Sequence, residues 1–231
     1  MSIMTRPTTM ALRRFMRKLG LTKPLAMLIH GGYEERLDKA MMASLRLGDC
    51  AWDIGANVGL YTAKFSDVVG EQGRVFAFEP SPHNLVSLKQ AINGQANVRI
   101  LEVALADFDG EASFEETGGT GVTSRLSNEE GETSITVPVL RADDVIARGD
   151  AAPPNIVKID VEGFELAVLK GMEATLRHKA IREIFVEVHF TQLDGLGVQD
   201  GARQIEDLLT AAGLTLKWLD NSHLWASRTS S

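Results

Sequence analysis

Apolar and polar positions along the chain follow two patterns. Short apolar runs predict strands, and longer stretches with apolar residues at helical spacing predict helices. The predicted strands cover residues 51–54, 75–78, 98–105, 111–116, 134–140, 156–160, 184–190, 214–219 and 223–227. The predicted helices cover residues 34–47, 60–69, 82–92, 143–147, 165–176 and 201–212. This alternation of strands and helices predicts an α/β fold with helices on both faces of a mostly parallel sheet.

The first strand is joined to its helix by a loop with two glycines. Gly55 can adopt backbone angles that are closed to other residues, and Gly59 removes a Cβ where helix and strand would meet a ligand. Ligands of open parallel sheets bind at the carboxyl ends of the strands, so we predict that this loop contacts a nucleoside cofactor. The predicted contact residues of the loop are Asp53, Gly55, Ala56, Asn57 and Gly59.

Glu79 ends the next apolar run, with 19 residues between it and Gly59. Doubly wound folds place an acid at this distance to accept hydrogen bonds from ribose hydroxyls. A dinucleotide loop would need glycines where Asn57 and Leu60 stand, so a pyrophosphate is disfavoured. S-adenosylmethionine (SAM) has no phosphate, and Asp53 with the loop amides offers partners for its ammonium and carboxylate groups. The alternative interpretation is an ordinary strand-to-helix turn with a buried acid.

Two pairs of titratable residues stand at the ends of later strands. Asp160 and Glu162 lie two positions apart, as do Glu187 and His189. Residues two apart on a strand share a face, and the carboxyl ends of parallel strands meet at one edge of the sheet. We therefore predict that these four catalytic candidates converge near the transferable methyl group.

Three roles for this group stay open. Asp160 could hold the cofactor's ammonium or the acceptor, while His189, with an ordinary pKa of about 6.5, could act as general base. Asp160, Glu187 and His189 could instead bind a divalent metal, although the chain has no compact ligand motif and a metal is not expected. In the third interpretation Glu162 and Glu165 only favour the start of the following helix, and Glu187 pairs with a nearby cation. Of these roles we favour His189 as the base.

Charge is distributed unevenly along the chain. The net charge is −7, yet residues 1–33 hold six basic residues and no acid, which leaves 18 basic and 31 acidic residues in 34–231. We predict a basic N-terminal extension, 1–33, and a catalytic domain, 34–231, that does not bind nucleic acid. The segment 10–19 could form a basic amphipathic helix that touches a membrane surface or an acidic substrate, or it could pack on the domain or fray.

Composition places the chain among single-core proteins. With 231 residues and 44% hydrophobic content it can bury one substantial core, and its single cysteine, Cys50, excludes a disulfide within the chain. No run has the length of a bilayer span, and no secretory signal is apparent. We expect a soluble cytoplasmic protein without a stable membrane anchor, with a homodimer as one open alternative.

Five sequence blocks, spread over roughly residues 33 to 220, carry a family resemblance. In order they read DIGANVG, FEPSPHN, VALAD, KIDVEGFE and VEVH, and KIDVEGFE is the most specific. Together they resemble the FkbM family of SAM-dependent methyltransferases. The resemblance implies a class I, Rossmann-like fold with a seven-stranded sheet whose last strand is antiparallel. It also implies O-methylation of a sugar or natural-product hydroxyl.

The resemblance assigns roles by position. The loop from Asp53 to Gly59 would hold SAM, Glu79 with the adjacent Pro80 would lie at the ribose, and Ala104 and Leu105 would lie near adenine. Asp160 would border both the methionine moiety and the acceptor. Phe164 stands where many relatives have a small residue, which leaves the acceptor's identity open.

The function predicted from the sequence is O-methylation of a hydroxylated small molecule. Methyl transfer is an in-line displacement, so most of the catalysis should come from alignment of the acceptor oxygen with the methyl carbon. Two alternatives remain, an N-methyltransferase acting on an amine or amide and a catalytically silent SAM-binding scaffold. The presence of Asp160 and His189 weighs against the silent scaffold.

Overall fold

The computed structural model describes residues 36–115, 125–127 and 134–228. The predicted extension 1–33, with its amphipathic segment, lies outside the described residues. The chain divides into two compact units, Met1–Ala40 and Met41–Ser231, and the second unit contains both β-sheets. Among the described residues, no helix is both long and apolar enough to cross a membrane.

The described residues form eleven strands and eight helices. The strands are β1 (Cys50–Ile54), β2 (Arg74–Phe78), β3 (Val98–Leu101), β4 (Ala104–Leu105), β5 (Gly110–Glu115), β6 (Arg125–Ser127), β7 (Ser134–Leu140), β8 (Ile156–Ile159), β9 (Glu183–Glu187), β10 (Thr215–Trp218) and β11 (His223–Ser227). The helices are α1 (36–44), α2 (Leu60–Val69), α3 (Pro82–Ala91), α4 (Ala142–Ala147), α5 (Glu165–Gly171), α6 (Glu173–Leu176), α7 (Phe190–Gly195) and α8 (Gly201–Ala211).

The main sheet has seven strands in the order β10-β11-β9-β8-β1-β2-β3. Its inner pairs are parallel, and β11, the last strand of the chain, runs antiparallel to both β9 and β10. This confirms the predicted α/β fold and the sheet that the family resemblance implies. A second sheet has the order β4-β7-β5-β6.

Apolar side chains cover both faces of the central strands. All four residues of β8 are buried, and so are the last four of β1. Successive strand residues point to opposite faces, so burial of consecutive residues requires cover on both sides. Trp52 and Phe78 meet in this core with ring centroids 4.9 Å apart. Cys50, at the start of β1, is partly buried, and burial raises the pKa of its thiol to about 12, as expected for an unreactive cysteine.

The predicted third strand, 98–105, is two strands in different sheets. β3 pairs with β2 in the main sheet, whereas β4 pairs with β7 through Ala104↔Val139. The prediction joined them because alternation of apolar residues reports which face is buried, not which strand is the partner. The change of sheet between β3 and β4 places Ala104 and Leu105 at the cavity described below.

Two other predicted elements end early. The helix 165–176 breaks at Gly171, where a Cβ would lie 1.8 Å from the carbonyl oxygen of Ala106, so a side chain at this contact would clash. The strand 184–190 ends at Glu187, and His189 is the residue before helix α7. Glu187 and His189 therefore do not share a strand face, and the prediction was wrong on this point.

Candidate active site

A cavity of about 840 Å³, counted with the space at its open mouth, lies at the carboxyl ends of β1, β2, β8 and β9. This is where ligands of open α/β sheets bind. From the predicted cofactor set its lining includes Gly55, Asn57, Glu79, Pro80, Ala104 and Leu105. All four predicted catalytic residues, Asp160, Glu162, Glu187 and His189, line it as well. Asp53, Ala56 and Gly59 are not part of the lining.

The two loop glycines serve close contacts within the protein. Gly55 has φ +78°, and a Cβ there would lie 1.9 Å from the carbonyl oxygen of Asp160. The loop after β1 thus packs directly against the backbone that follows β8. Gly59, with φ +88°, would place a Cβ 2.7 Å from Cδ1 of Leu88 on helix α3. The missing Cβ thus makes room for helix α3, and the predicted contact of Gly59 with a ligand stays a prediction.

Glu79 fixes the shape of the cofactor side. Its Oε2 accepts a hydrogen bond from the Asn57 N–H at 2.7 Å, and its Oε1 accepts from the Ser81 N–H at 2.8 Å and from Asn84 Nδ2 at 3.3 Å. Burial raises the pKa of Glu79, and the hydrogen bonds from Ser81 and Asn57 oppose that shift. A carboxylate has about four acceptor positions, so Glu79 retains capacity for a further donor. The sequence predicted an acid at this position but not its hydrogen bond to the loop backbone at Asn57.

Asp53 is fully buried and faces the protein interior. Its Oδ2 accepts a hydrogen bond from Thr62 Oγ1 at 2.6 Å, and its Oδ1 lies 3.5 Å from Lys158 Nζ. Burial raises the pKa of Asp53, while Lys158 and Thr62 lower it. The prediction that Asp53 pairs with a cofactor ammonium is wrong for this geometry, because its partner is a lysine of the chain.

Lys158 is a charged residue of the site that sequence reasoning missed. Its ammonium lies 3.2 Å from Asp160 Oδ2, 3.5 Å from Asp53 Oδ1 and 5.1 Å from the centre of the Tyr61 ring. Burial lowers the pKa of Lys158, but Asp160 and Asp53 outweigh it and the net pKa is raised. The lysine therefore stays charged and holds Asp160 in place. A lysine within the fully buried strand β8 was the available signal.

His189 lies among four carboxylates. Its Nδ1 is 2.7 Å from Oε1 of Glu165, which is fully buried. Its Nε2 is 3.3 Å from Glu162 Oε2 and 3.9 Å from both Asp160 Oδ1 and Glu187 Oε1. The predicted convergence of Asp160, Glu162, Glu187 and His189 is confirmed. Glu165 is an addition, since the sequence suggested only the start of a helix.

The charge state of His189 opposes a role as base. Burial lowers the pKa of His189, but the hydrogen bond and charge of Glu165, followed by the charges of Glu162 and Asp160, raise it to about 9. The imidazole is therefore already protonated at neutral pH, and a protonated ring cannot accept another proton. This charge state disfavours His189 as general base, and that role stays a prediction.

Glu162 reaches the site because its backbone conformation is left-handed. Its φ is +52°, in the left-handed region, and the next residue, Gly163, has φ +106°. Gln192 Nε2 donates a hydrogen bond to Glu162 Oε2 at 3.1 Å. Burial raises the pKa of Glu162, His189 lowers it, and Asp160 and Glu187 raise it further. The shared strand face predicted for Asp160 and Glu162 is wrong, because β8 ends at Ile159 and a turn returns Glu162 to the site.

A second histidine, His223, contacts Glu187. His223 Nε2 lies 3.5 Å from Glu187 Oε2, and its Nδ1 lies 2.8 Å from Asp220 Oδ2. Burial lowers the pKa of His223, but Glu187 and Asp220 raise it above the ordinary value. The cation that the third interpretation required for Glu187 is thus a histidine of the last hairpin.

Comparisons with known proteins place this geometry in a family. A family model described as the methyltransferase FkbM domain matches residues 53–215. Hexuronic acid methyltransferase AglP of Haloferax volcanii is 30% identical over 158 residues, which cover 68% of this chain and 62% of AglP. The 31-O-demethyl-FK506 methyltransferase FkbM of Streptomyces tacrolimicus is 29% identical over 177 residues, which cover 63% of this chain and 67% of that protein.

Among solved structures, the methyltransferase FkbM from Methylobacillus flagellatus KT superposes with a TM-score of 0.51 and 17% identity. The match covers 77% of this chain and 43% of the Methylobacillus chain. At this identity the likeness shows the fold alone. The chain spans less than two thirds of AglP and less than half of the Methylobacillus protein.

Proposed function

Because the chain belongs to the methyltransferase FkbM family, we propose that it is a SAM-dependent enzyme that methylates a hydroxyl of a sugar or natural-product small molecule. One observation carries the proposal: a single cavity has two chemically different halves. The loop after β1 and Glu79 form a half suited to a nucleoside, and Asp160 with its acidic neighbours forms the other. The names of AglP and of the Streptomyces relative give a hexuronic acid and 31-O-demethyl-FK506 as what they methylate.

The residues of the first half fit SAM. Asn57 Oδ1 is buried and has no hydrogen-bond partner within the described part of the chain, so it can accept from the cofactor's ammonium. Glu79 retains acceptor capacity for a ribose hydroxyl, and the buried residues Ala104 and Leu105 offer apolar contact to adenine. When bound, SAM supplies a methyl group activated by its sulfonium centre.

On the acceptor side, Asp160 accepts a hydrogen bond from the hydroxyl and orients its oxygen toward the methyl carbon. Lys158 prevents Asp160 from turning away, because it holds Oδ2 at 3.2 Å. SAM would supply the methyl group and leave as the neutral thioether, and Asp160 would take up the single proton of the hydroxyl, which it already holds by a hydrogen bond. Most of the rate enhancement comes from this alignment.

The test is an acceptor screen with the full chain. Uronic acids, neutral sugars, hydroxylated natural products and amines are incubated with SAM, and adenosylhomocysteine and product mass are measured. We expect the methyl ether of a hydroxylated acceptor, heavier than that acceptor by one CH₂. An amine product would indicate N-methylation instead. Binding of SAM without adenosylhomocysteine from any acceptor would contradict the proposal in favour of a silent scaffold.

Asp160→Asn tests the alignment with the productive acceptor. We expect turnover to fall by about 10²-fold, because the orienting charge and the ion pair with Lys158 are lost. Asp150→Asn is the matched control, since Asp150 forms an exposed ion pair with Arg99 at 3.4 Å. Equal turnover in the two variants would remove Asp160 from the proposed mechanism.

A further inference from the structure

Three side chains at the acidic end of the cavity have the composition and spacing of a metal site. Asp160, Glu162 and His189 each offer one ligand atom, and all three atoms lie within 4.8 Å of one another. Ligands in adjacent octahedral positions, each about 2.1 Å from the ion, lie about 3 Å apart. The observed separations from His189 Nε2, 3.3 Å to Glu162 and 3.9 Å to Asp160, need only a small contraction.

A second, independent observation is that a carboxylate, Glu165, orients the His189 ring. Glu165 is fully buried, and its Oε1 accepts a hydrogen bond from the Gly163 N–H at 2.8 Å and contacts His189 Nδ1 at 2.7 Å. The other oxygen of Glu165 is buried without a hydrogen-bond partner in the described ranges. Metal-bound histidines commonly present their second nitrogen to such a carboxylate, which fixes the ring and directs the free nitrogen at the ion. Here that free nitrogen, Nε2, faces the cavity acids.

The negative charge of the neighbouring carboxylates also favours binding of a cation. Asp160, Glu162 and Glu187 all approach His189 Nε2 to within 3.9 Å. Lys158 balances Asp160, whereas the ion-pair partners of Glu162 and Glu187 among the described residues are histidines. Carboxylates this close repel one another in a half-buried site, and a divalent ion would remove that repulsion.

We propose that Asp160, Glu162 and His189 bind a divalent cation, with Mn²⁺ as the best match to two carboxylates and one imidazole. The geometry thus groups Glu162, rather than the predicted Glu187, with Asp160 and His189. Cation binding replaces the proton on Nε2. The inference rests on the proposed function, since open coordination positions would take the acceptor oxygen and lower the pKa of its hydroxyl. Because Asp160 would then be bound to the ion, Glu187, outside the ligand set, would take up the proton in its place.

Calorimetry of the chelator-treated full chain with Mn²⁺, in the absence of SAM and acceptor, tests the site directly. We expect saturable binding of one ion and a change in the Mn²⁺ paramagnetic resonance spectrum. Glu162→Gln and His189→Gln should each weaken Mn²⁺ binding at least tenfold. Glu165→Gln should weaken it by about 10- to 100-fold, because the ring loses its orienting carboxylate. Mg²⁺ and Zn²⁺ are titrated in parallel to rank the cations.

Glu102→Gln is the matched control, because Glu102 is an exposed acid paired with Lys89 at 2.7 Å, and it should leave Mn²⁺ affinity unchanged. SAM affinity and thermal unfolding of every variant establish that it is folded. Absence of saturable Mn²⁺ binding to the wild-type chain, or binding unaffected by Glu162→Gln and His189→Gln, overturns the metal site. Either result leaves the proposed methyl transfer standing if SAM binds and a product still forms in the presence of chelator.

Discussion

At the scale of single residues, Lys158 carries a charge into a strand whose other residues are apolar. The strand itself was predictable from Ile156, Val157 and Ile159, but the role of the lysine was not. Asp160 lies only two positions further along the chain, but Asp53 on β1 becomes a neighbour only when β1 and β8 pair. Sequence spacing of 105 positions between Asp53 and Lys158 gives no local signal of that contact.

Removing the lysine should reveal how much it stabilises the fold. Lys158→Met leaves the fully buried Asp53 without a cation, and we expect the free energy of unfolding to fall by about 3 to 5 kcal/mol in urea titrations. Adding Asp53→Asn to the same chain should restore part of that loss, because the unpaired charge disappears. Lys89→Met, which breaks an exposed pair, should cost no more than about 1 kcal/mol. Similar losses for Lys158→Met and Lys89→Met would contradict the buried ion pair.

Gly55 offers a second test at this scale. Gly55→Ala introduces both an unfavourable backbone angle and a Cβ 1.9 Å from the carbonyl oxygen of Asp160. Gly94→Ala introduces a similar angle, φ +86°, with nothing within 4 Å of the new Cβ. We expect Gly94→Ala to cost about 1 kcal/mol of stability and Gly55→Ala clearly more, with weakened SAM binding as well. If calorimetry and urea unfolding fail to separate the two variants, the close approach at Gly55 is not what requires glycine.

At the scale of elements, the sequence predicted the existence of strands and helices better than their partners and ends. The glycine loop and the acid after β2 were predictable because a doubly wound fold requires both near a ligand. The division of 98–105 into two strands was not predictable. Apolar and polar residues alternate in the same way in both halves, yet β3 pairs with β2 and β4 pairs with β7. The four catalytic candidates converge as predicted, but for Glu162 and His189 the cause is a left-handed turn and a helix start rather than a strand face.

The last hairpin contains a pH-dependent contact between Asp220 and His223. Burial raises the pKa of Asp220, but the Ser222 N–H and His223 outweigh it and the pKa is lowered, so this stabilisation is lost as pH falls through the folded value. The pKa of His223 is raised, so its contribution is complete below about pH 6.5 and is lost as pH rises through the folded value. Both contributions coexist between about pH 4 and 6.5.

Asp220→Asn should therefore lower the melting temperature most within that window. The difference from the wild-type chain should shrink above it, because His223 loses its proton and the wild-type chain then also lacks the charge pair. Thermal unfolding of the two proteins at several pH values measures this directly. A difference that is constant from pH 4 to 9 would show that the hydrogen bonds from the backbone of Ser222 and His223 matter more than the charge pair.

At the scale of the whole molecule, the seven-stranded sheet brings two sets of residues far apart in sequence to one cavity. The strand order places β1 between β2 and β8, so the glycine loop, Glu79 and Asp160 follow three adjacent strands. This order could not be read from the chain's own periodicity, and the family resemblance implied only a seven-stranded sheet with an antiparallel last strand. The same order explains why a nucleoside site and an acidic site share one opening.

A cofactor that fits this cavity should stabilise the entire domain. SAM and adenosylhomocysteine at about 100 times their dissociation constants should each add about 2.7 kcal/mol to the free energy of unfolding, and NAD should add none, because Asn57 and Leu60 replace the dinucleotide glycines. Glu79→Ala should weaken SAM binding by about 1 to 3 kcal/mol through the lost ribose contact and the loosened loop, whereas Glu71→Ala, at an exposed acid, should not. Calorimetry and thermal unfolding measure both effects on the same samples. Stabilisation by NAD without stabilisation by SAM would contradict the cofactor assignment, and equal SAM affinity in the two variants would move the ribose site away from Glu79.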